Sequence, residues 1–259
     1  MDGHWTQKNP HPPTLKAQLK LHKPEISIRP LFNNRSAPSY KMAKKLNDIL
    51  KQYLNLNNYY TVDKSTNLAH NLTKLTINDN YRLITLDIKD LYVNIPIGET
   101  IRIARTQLLI HNDQQTTNQI CTLLKTILGQ NHFTFQDHCY QPDKGVAMGS
   151  PLSGVIAEIF LHLEDSHIKL LLDSKCIAFY SRYVDIIIIY DATCTDPETI
   201  VQHANITHSN LQLTPTLESN NQISFLDLLI TRKSHQVEID LYCKLTMTDT
   251  TINSYLTTQ

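Results

Sequence analysis

The spacing of apolar residues predicts several helices along the chain. In residues 40–54 apolar side chains recur every three or four positions, as on one face of an amphipathic helix. The same spacing occurs in residues 97–108 and 120–127. A Ser-Pro pair at 150–151 is typical of an N-cap and the first helical position, and it predicts a long helix that continues to about residue 172.

Short apolar runs rich in β-branched residues predict the strands. Leu83–Ile88 has the composition of a buried strand, and Phe133–Tyr140 that of a short hairpin. Ile177–Val184 and Ile186–Tyr190 predict two strands that meet at Asp185.

The two ends of the chain differ in character. The first forty residues are rich in proline and predict extended segments and turns rather than a long helix. Asp196 followed by proline predicts a further helix start, and three β-like runs follow at 211–218, 223–231 and 237–242. Together these elements predict an α+β fold, with a mostly antiparallel sheet backed by helices.

Composition places the chain among globular proteins without a membrane span. Its 259 residues are 41% hydrophobic and 19% charged, which suits one domain or two closely packed subdomains. No apolar run reaches about 18 residues, and the polar start does not resemble a signal peptide. The five cysteines are scattered and form no CxxC pair, which favours a reducing intracellular compartment, nuclear or cytoplasmic.

The net charge of zero conceals an uneven distribution. Residues 1–52 contain ten Lys/Arg and three Asp/Glu, a local charge of +7, which leaves −7 for the remainder. A basic arm beside an acidic body could hold a phosphate backbone against the first and divalent cations against the second. On charge alone, two ordinary solvated surfaces are the simpler interpretation.

Two aspartates stand at the ends of predicted strands. Asp87 follows the run 83–86, and Asp185 lies between two strands. A carboxylate in such apolar surroundings must reach solvent, a cation or a partner. Two of them on adjacent strands could hold a pair of Mg²⁺ ions roughly 3.5–4 Å apart for nucleotidyl transfer. Taken singly, each is also compatible with an ordinary turn residue.

Motifs around these aspartates resemble those of the reverse transcriptases of Penelope-like retroelements. Residues 86–96 are similar to the first palm motif of that family, which ends in Asn-(Ile/Val)-Pro, and residues 145–153 are similar to the second, which contains Ala-Met-Gly-Ser-Pro. Residues 182–185 resemble the start of the third motif. The flanking matches are Lys20–Lys23 with Arg29–Leu31, then Phe225–Asp227 and Tyr242–Thr246.

The resemblance implies the fingers and palm of a right-hand polymerase. Residues 1–80 would form a basic, fingers-like part and residues 81–259 the palm, with a catalytic core at about 82–232 and no thumb. The implied activity is that of a retroelement RNA-directed DNA polymerase, which transfers nucleotides to a primer 3′-hydroxyl. Its implied partners are dNTPs and an RNA or DNA template with its primer. Its implied cofactor is Mg²⁺, with Mn²⁺ as the alternative ion.

The same resemblance assigns the metal ligands. Asp87 and Asp185 would be the catalytic carboxylates that hold the ions, and the carbonyl of Ile88 could complete one coordination sphere.

The resemblance also assigns the nucleotide-binding residues. Lys20 and Arg29 would grip the incoming triphosphate, although solvated basic residues are the alternative. Tyr92 stands at the steric-gate position, where a bulky ring would crowd a ribose 2′-hydroxyl; the alternative is a packed core tyrosine. Gly149 and Ser150 would let the backbone approach the template–nucleotide pair, although the same residues also suit a simple helix cap.

The third motif departs from the family pattern at one position. Ile186 stands where the family has a second aspartate, which helps to hold the ion beneath the attacking hydroxyl. This predicts an apolar side chain at the metal and a rate lowered on the order of 10²–10⁴. The alternatives to an active polymerase are a catalytically inactive nucleic-acid-binding remnant and, less favoured, a metal-dependent nuclease.

Overall fold

The computed structural model describes residues 7–20, 27–54, 56, 60–162 and 175–243. The strands within these ranges are β1 (Thr14–Lys20), β2 (Ser27–Asn33), β3 (Tyr81–Ile88), β4 (Phe133–Phe135), β5 (His138–Tyr140), β6 (Ile177–Tyr183), β7 (Asp185–Asp191), β8 (Leu213–Leu217), β9 (Gln222–Phe225), β10 (Leu228–Arg232) and β11 (Val237–Leu241). The helices are α1 (Tyr40–Tyr53), α2 (Ser65–Thr73), α3 (Leu91–Asn94), α4 (Ile97–His111), α5 (Gln114–Gly129), α6, described over 153–162, and α7 (Pro197–Ile206).

The central sheet has the strand order β6-β7-β3-β8, and its neighbouring strands are all antiparallel. Alternate residues of a strand point to opposite faces, so β3 and β7 each contribute side chains to two cores. On one face Ile84 and Leu86 of β3 pack with Ile188 of β7 against the helical core. On the other face Leu83 and Ile187 pack against a second core that includes residues of α2 and of the C-terminal strands. Burial on both faces explains the continuous apolar runs in the sequence.

Two smaller sheets flank the central one. The N-terminal sheet has the order β2-β1-β4-β5, so the hairpin at 133–140 joins strands from the start of the chain. Its only parallel contact within the described residues is the short pairing of β1 with β4. The C-terminal sheet has the order β11-β10-β9 and is antiparallel. The α+β prediction of antiparallel sheets backed by helices is therefore confirmed.

Two local predictions need correction, and a third lies partly outside the described residues. The helix expected to have Pro151 as its first residue begins two residues later, at 153, because residues 150–152 form a turn in which the Ser153 N–H donates to the Ser150 carbonyl. The part of this helix predicted beyond 162 lies outside the described residues. The run 223–231 is two strands, since Leu226 adopts a left-handed φ of 57° and turns the chain.

A disulfide bond links the two ends of the β6–β7 hairpin that lie away from its turn. Cys176 precedes β6 and Cys194 follows β7, and their Cα atoms are 5.4 Å apart. Their separation of 18 residues is not a CxxC spacing, so the absence of such spacing in the sequence did not indicate this bond. None of the described helices is long and apolar enough to cross a bilayer.

Candidate active site

Asp87 and Asp185 lie side by side at one end of the central sheet. The antiparallel pairing of β3 and β7 continues to the pair Leu86–Ile186, so the next residue on each strand is one of the two aspartates. The Ile88 N–H donates to Asp185 Oδ1 across this end of the sheet, at 3.4 Å. Because cross-strand neighbours share a face, both aspartates belong to the same face of the sheet.

A tight turn presents Asp185. β6 ends at Tyr183 and β7 begins at Asp185, so Val184 alone connects them. Val184 has a φ of 62°, in the left-handed region that a β-branched residue rarely adopts. Such strained residues persist only where the surrounding structure holds them, and they cluster at functional sites.

A buried arginine holds the hairpin behind this turn. The Arg182 side chain is 1% exposed, and its Nη1 lies 3.0 Å from Glu158 Oε2 on α6. The Arg182 N–H donates to the Tyr60 carbonyl, and the Arg182 carbonyl accepts from the Val62 N–H. Because an isolated buried charge is costly, the ion pair ties β6 to α6. The sequence analysis identified Arg182 only as part of the third motif and did not predict its ion pair. A single cation in a largely apolar strand indicates such a buried partner.

One cleft of about 660 Å³ collects the predicted residues. It is bordered by β2, the β3–α3 turn, the loop 145–150, the start of α6 and the β6–β7 turn. The predicted residues that line it are Arg29, Asp87, Ile88, Tyr92, Gly149, Ser150 and Asp185. Lys20 lies in β1 opposite Ser27, and its side chain falls outside the described part of the structure.

Two glycines allow the backbone of the loop 145–150 to lie close to both α3 and β2. Gly145 has a φ of 78°, and a Cβ there would lie 2.5 Å from the Val93 carbonyl oxygen. Gly149 has a φ of 110°, and a Cβ there would overlap the Phe32 carbonyl oxygen of β2. The Phe32 N–H donates to the Met148 carbonyl at 2.8 Å. The close approach at Gly149 in this structure is therefore to protein backbone, which joins β2 to the site.

Replacing Gly149 with alanine should lower the free energy of unfolding by about 2 kcal/mol or more, because both the left-handed φ and the overlap with Phe32 oppose a Cβ. Urea denaturation measures this loss. Gly98→Ala is the matched control, since Gly98 is exposed in α4 with nothing within 4 Å of its added Cβ. We expect it to change stability by less than about 1 kcal/mol. Equal effects of the two substitutions would contradict the fit described above.

Tyr92 lines both the site cleft and a second cleft of about 1070 Å³. Burial raises the pKa of the Tyr92 phenol, and Glu158 and then Tyr183 raise it further, whereas Arg29 lowers it. The phenol is therefore protonated at neutral pH and presents a hydrogen-bond donor at the edge of the site cleft.

Ile186 lies in the helical core and does not line the site cleft, which differs from the apolar side chain at the metal expected from the motif. Its side chain is 0% exposed and packs with Leu86 and Ile188 in the helical core. Consecutive strand residues point to opposite faces, which directs Ile186 away from the face that carries Asp87 and Asp185. The face that carries Asp87 and Asp185 therefore does not include the Ile186 side chain.

The donor set of the cleft suits a hard divalent cation that is shared with a substrate. Within the described residues, no group of three or more His, Cys, Asp or Glu side chains could hold an ion unaided. Mg²⁺ commonly binds through one or two carboxylates together with substrate phosphates and water. Asp87 and Asp185 supply that number of carboxylates on one face.

No protein-family model and no curated protein sequence match this chain. Solved structures do share its fold. An apo telomerase from Candida tropicalis, truncated from its C-terminal domain, is 13% identical with a TM-score of 0.63, over 91% of this chain and 56% of that one. A Candida albicans telomerase in complex with the TWJ fragment of telomeric RNA is 13% identical with a TM-score of 0.65, over 95% and 49%.

Viral enzymes share the fold over a shorter part of their length. The BmCPV RNA-dependent RNA polymerase at the elongation state is 14% identical with a TM-score of 0.52, over 85% of this chain and 21% of that one. The chain spans about half the length of the telomerase chains it matches. The chain therefore has a polymerase-like fold, common to telomerases and viral RNA-dependent RNA polymerases.

Proposed function

We propose that this chain is the RNA-directed DNA polymerase domain of a retroelement that resembles Penelope-like elements. The observation that carries the proposal is the juxtaposition of Asp87 and Asp185 on neighbouring antiparallel strands, in one cleft with Arg29 and Tyr92. The likeness in fold to telomerase, a reverse transcriptase, supports it.

The carboxylates bind the cations in this proposal. Asp87 and Asp185, with the Ile88 carbonyl, would hold two Mg²⁺ ions, for which Mn²⁺ could substitute. The chemistry that such ions would supply is activation of the attacking 3′-hydroxyl and neutralisation of the leaving pyrophosphate. The strained turn at Val184 keeps Asp185 in place, so little reorganisation is needed when substrate binds.

The incoming dNTP lies along the opposite wall of the cleft. Arg29 offers a planar guanidinium that can bind phosphate oxygens in pairs, and we propose that Lys20 adds a second cation. Tyr92 closes the cleft on the sugar side, where its ring excludes a 2′-hydroxyl. Gly149 and Ser150 border the same space, next to the proposed template–nucleotide pair.

The polymerase subdomains follow from the same assignment. Residues 1–80 supply the fingers, and the structure adds the hairpin β4–β5 to their sheet. Residues 81–259 supply the palm, whose central sheet carries both aspartates. The loop 145–150 joins the two parts, since the Phe32 N–H of β2 bonds to it.

Primer extension by the purified chain tests the proposal. On a primed RNA template, we expect incorporation of dNTPs that needs Mg²⁺ or Mn²⁺ and stops when the ions are chelated. Binding to the primed template should weaken steeply with salt, because counterions are released on association. Binding without extension under any ion would favour the inactive nucleic-acid-binding remnant. Cleavage without extension would favour the nuclease.

A pair of charge reversals separates a triphosphate site from general phosphate binding. Arg29 lines the cleft, whereas Arg35 is exposed beyond the end of β2. Arg29→Glu should raise the KM for dNTP by about tenfold or more and change duplex affinity little. Arg35→Glu should leave the KM for dNTP unchanged. Equal effects on dNTP and duplex at Arg29 would contradict its proposed role.

A further inference from the structure

One segment, which follows α7 and includes the first two residues of β8, bonds to the backbone at Asp87 and to α3. We call residues 208–214 the brace. The Thr214 hydroxyl donates to the Asp87 carbonyl at 3.2 Å, and the Gln212 carbonyl accepts from the Lys89 N–H at 2.9 Å. The Asn210 side-chain amide donates to the Asn94 carbonyl at 2.8 Å. The brace therefore spans the whole stretch from the catalytic strand end to the end of α3.

The brace is itself fixed by hydrogen bonds to neighbouring elements and by a ring contact. The side chain of Asn205 bonds both backbone groups of Leu213, to its N–H at 2.8 Å and its carbonyl at 3.3 Å. His208 Nδ1 accepts from the Asn210 N–H at 3.0 Å, so the proton on Nε2 faces Glu99 Oε2, 2.9 Å away. The His208 ring also packs edge-on against Phe160 of α6. His208 thus connects the Asn210 backbone to the N-terminal turn of α4 and to α6.

The helix α3 depends on such external partners. It has only four residues, Leu91–Asn94, and a single turn cannot satisfy its own terminal carbonyls. The Tyr92 carbonyl accepts from the Val146 N–H at 2.7 Å, and the Asn94 side-chain oxygen accepts from Lys144 Nζ at 3.2 Å. Asn210 satisfies the Asn94 carbonyl at the C-terminal end. The orientation of Tyr92, in the middle of this turn, is therefore set by the loop on one side and by the brace on the other.

We infer that Asn210 is a positioning residue that fixes α3, and that it thereby sets how closely the Tyr92 ring approaches the nucleotide sugar. The inference rests on the proposed function for its effect on selectivity. Asn210 does not line the cleft itself, and the brace contains none of the motif residues, so its contribution passes through Tyr92. Loss of the Asn210–Asn94 bond frees the end of α3 and lets the ring withdraw.

Sugar selectivity and amide exchange together test this inference. The ratio of kcat/KM for dNTP over rNTP should fall roughly three- to tenfold in Asn210→Ala, the loss expected of one hydrogen bond. In a Tyr92→Val background the same substitution should leave the ratio unchanged, because the ring on which it acts is gone. The Val93 and Asn94 amides, which bond to the Asp90 carbonyl within the turn, should exchange faster in Asn210→Ala.

Gln212→Ala is the matched control, because Gln212 bonds to Lys89 through its backbone and its side chain is exposed. It should change neither the ratio nor the exchange rate. Asn210→Asp keeps the side-chain shape but removes the amide donor, so it should lower the ratio and speed amide exchange as Asn210→Ala does. It replaces the alanine variant in the test if that variant folds poorly. An unchanged ratio with unchanged exchange would overturn the inference. If the wild-type chain extends no primer or shows no sugar preference, the proposed function fails, and amide exchange alone then decides whether Asn210 holds α3.

Discussion

Asp87→Asn should abolish primer extension, with a loss of about 10³-fold or more, because the neutral amide cannot hold the cations that the transition state requires. The carboxylate is exposed at the end of β3, outside both cores. We therefore expect the melting temperature without Mg²⁺ to change by less than about 2 °C. Single-turnover extension on a primed template measures the loss, and thermal denaturation confirms that the fold is intact. Asp185→Asn should have an effect of the same order.

Asp240→Asn is the control for the chemical change itself. Asp240 is an exposed carboxylate on β11, a strand that does not border the site cleft. It should retain full extension. If Asp87→Asn retains activity within tenfold of wild type, the two-metal assignment of this carboxylate is wrong, whatever the fold of the chain.

Ile186→Asp should unfold the protein or lower its stability by about 4 kcal/mol or more, rather than restore a catalytic ligand. The substitution removes a fully buried side chain and places a carboxylate among Leu86, Ile188 and their neighbours. That loss is a large part of the whole stability of a typical domain. Thermal denaturation should show a decrease of roughly 10 °C or more, and extension by the remaining folded protein should not exceed that of wild type.

Ile186→Val provides the comparison for volume alone. It removes one methyl group and keeps the position apolar, so it should cost roughly 0.5–1.5 kcal/mol and leave extension unchanged. A stable Ile186→Asp protein with faster extension would mean that residue 186 reaches the cations, as the motif pattern alone predicts. This single substitution therefore distinguishes two expectations: the motif pattern predicts faster extension, and the packing predicts a loss of stability.

Periodicity predicted the elements that have a strong apolar pattern. The amphipathic helix at Tyr40–Tyr53 and the strand at Tyr81–Ile88 are present. So is the helix capped by Asp196, whose side chain accepts from the Thr199 N–H. Helix α2 went unpredicted, because Leu68 and Leu72 are its only fully buried residues and most of the rest of its sequence is polar.

Short elements needed their partners in order to be recognised. The turn of α3 follows a left-handed Asp90 and is completed by bonds from the loop 145–150 and from the brace. Nothing within residues 91–94 encodes those partners, which come from positions about 50 and 120 residues further along the chain. Local propensity is weak for a single turn, and tertiary contacts decide whether it forms.

The sequence by itself determined which residues could carry chemistry here, because carboxylates at strand ends and a motif order shared with a polymerase family are properties of the chain alone. It also determined that Asp87 comes at the end of one predicted strand and that Asp185 lies between two others. Only the tertiary structure decided the face on which each side chain lies. The register of β3 with β7 places the two aspartates together and turns Ile186 into the core. Register depends on packing across the sheet, and a shift of one residue would exchange the two faces.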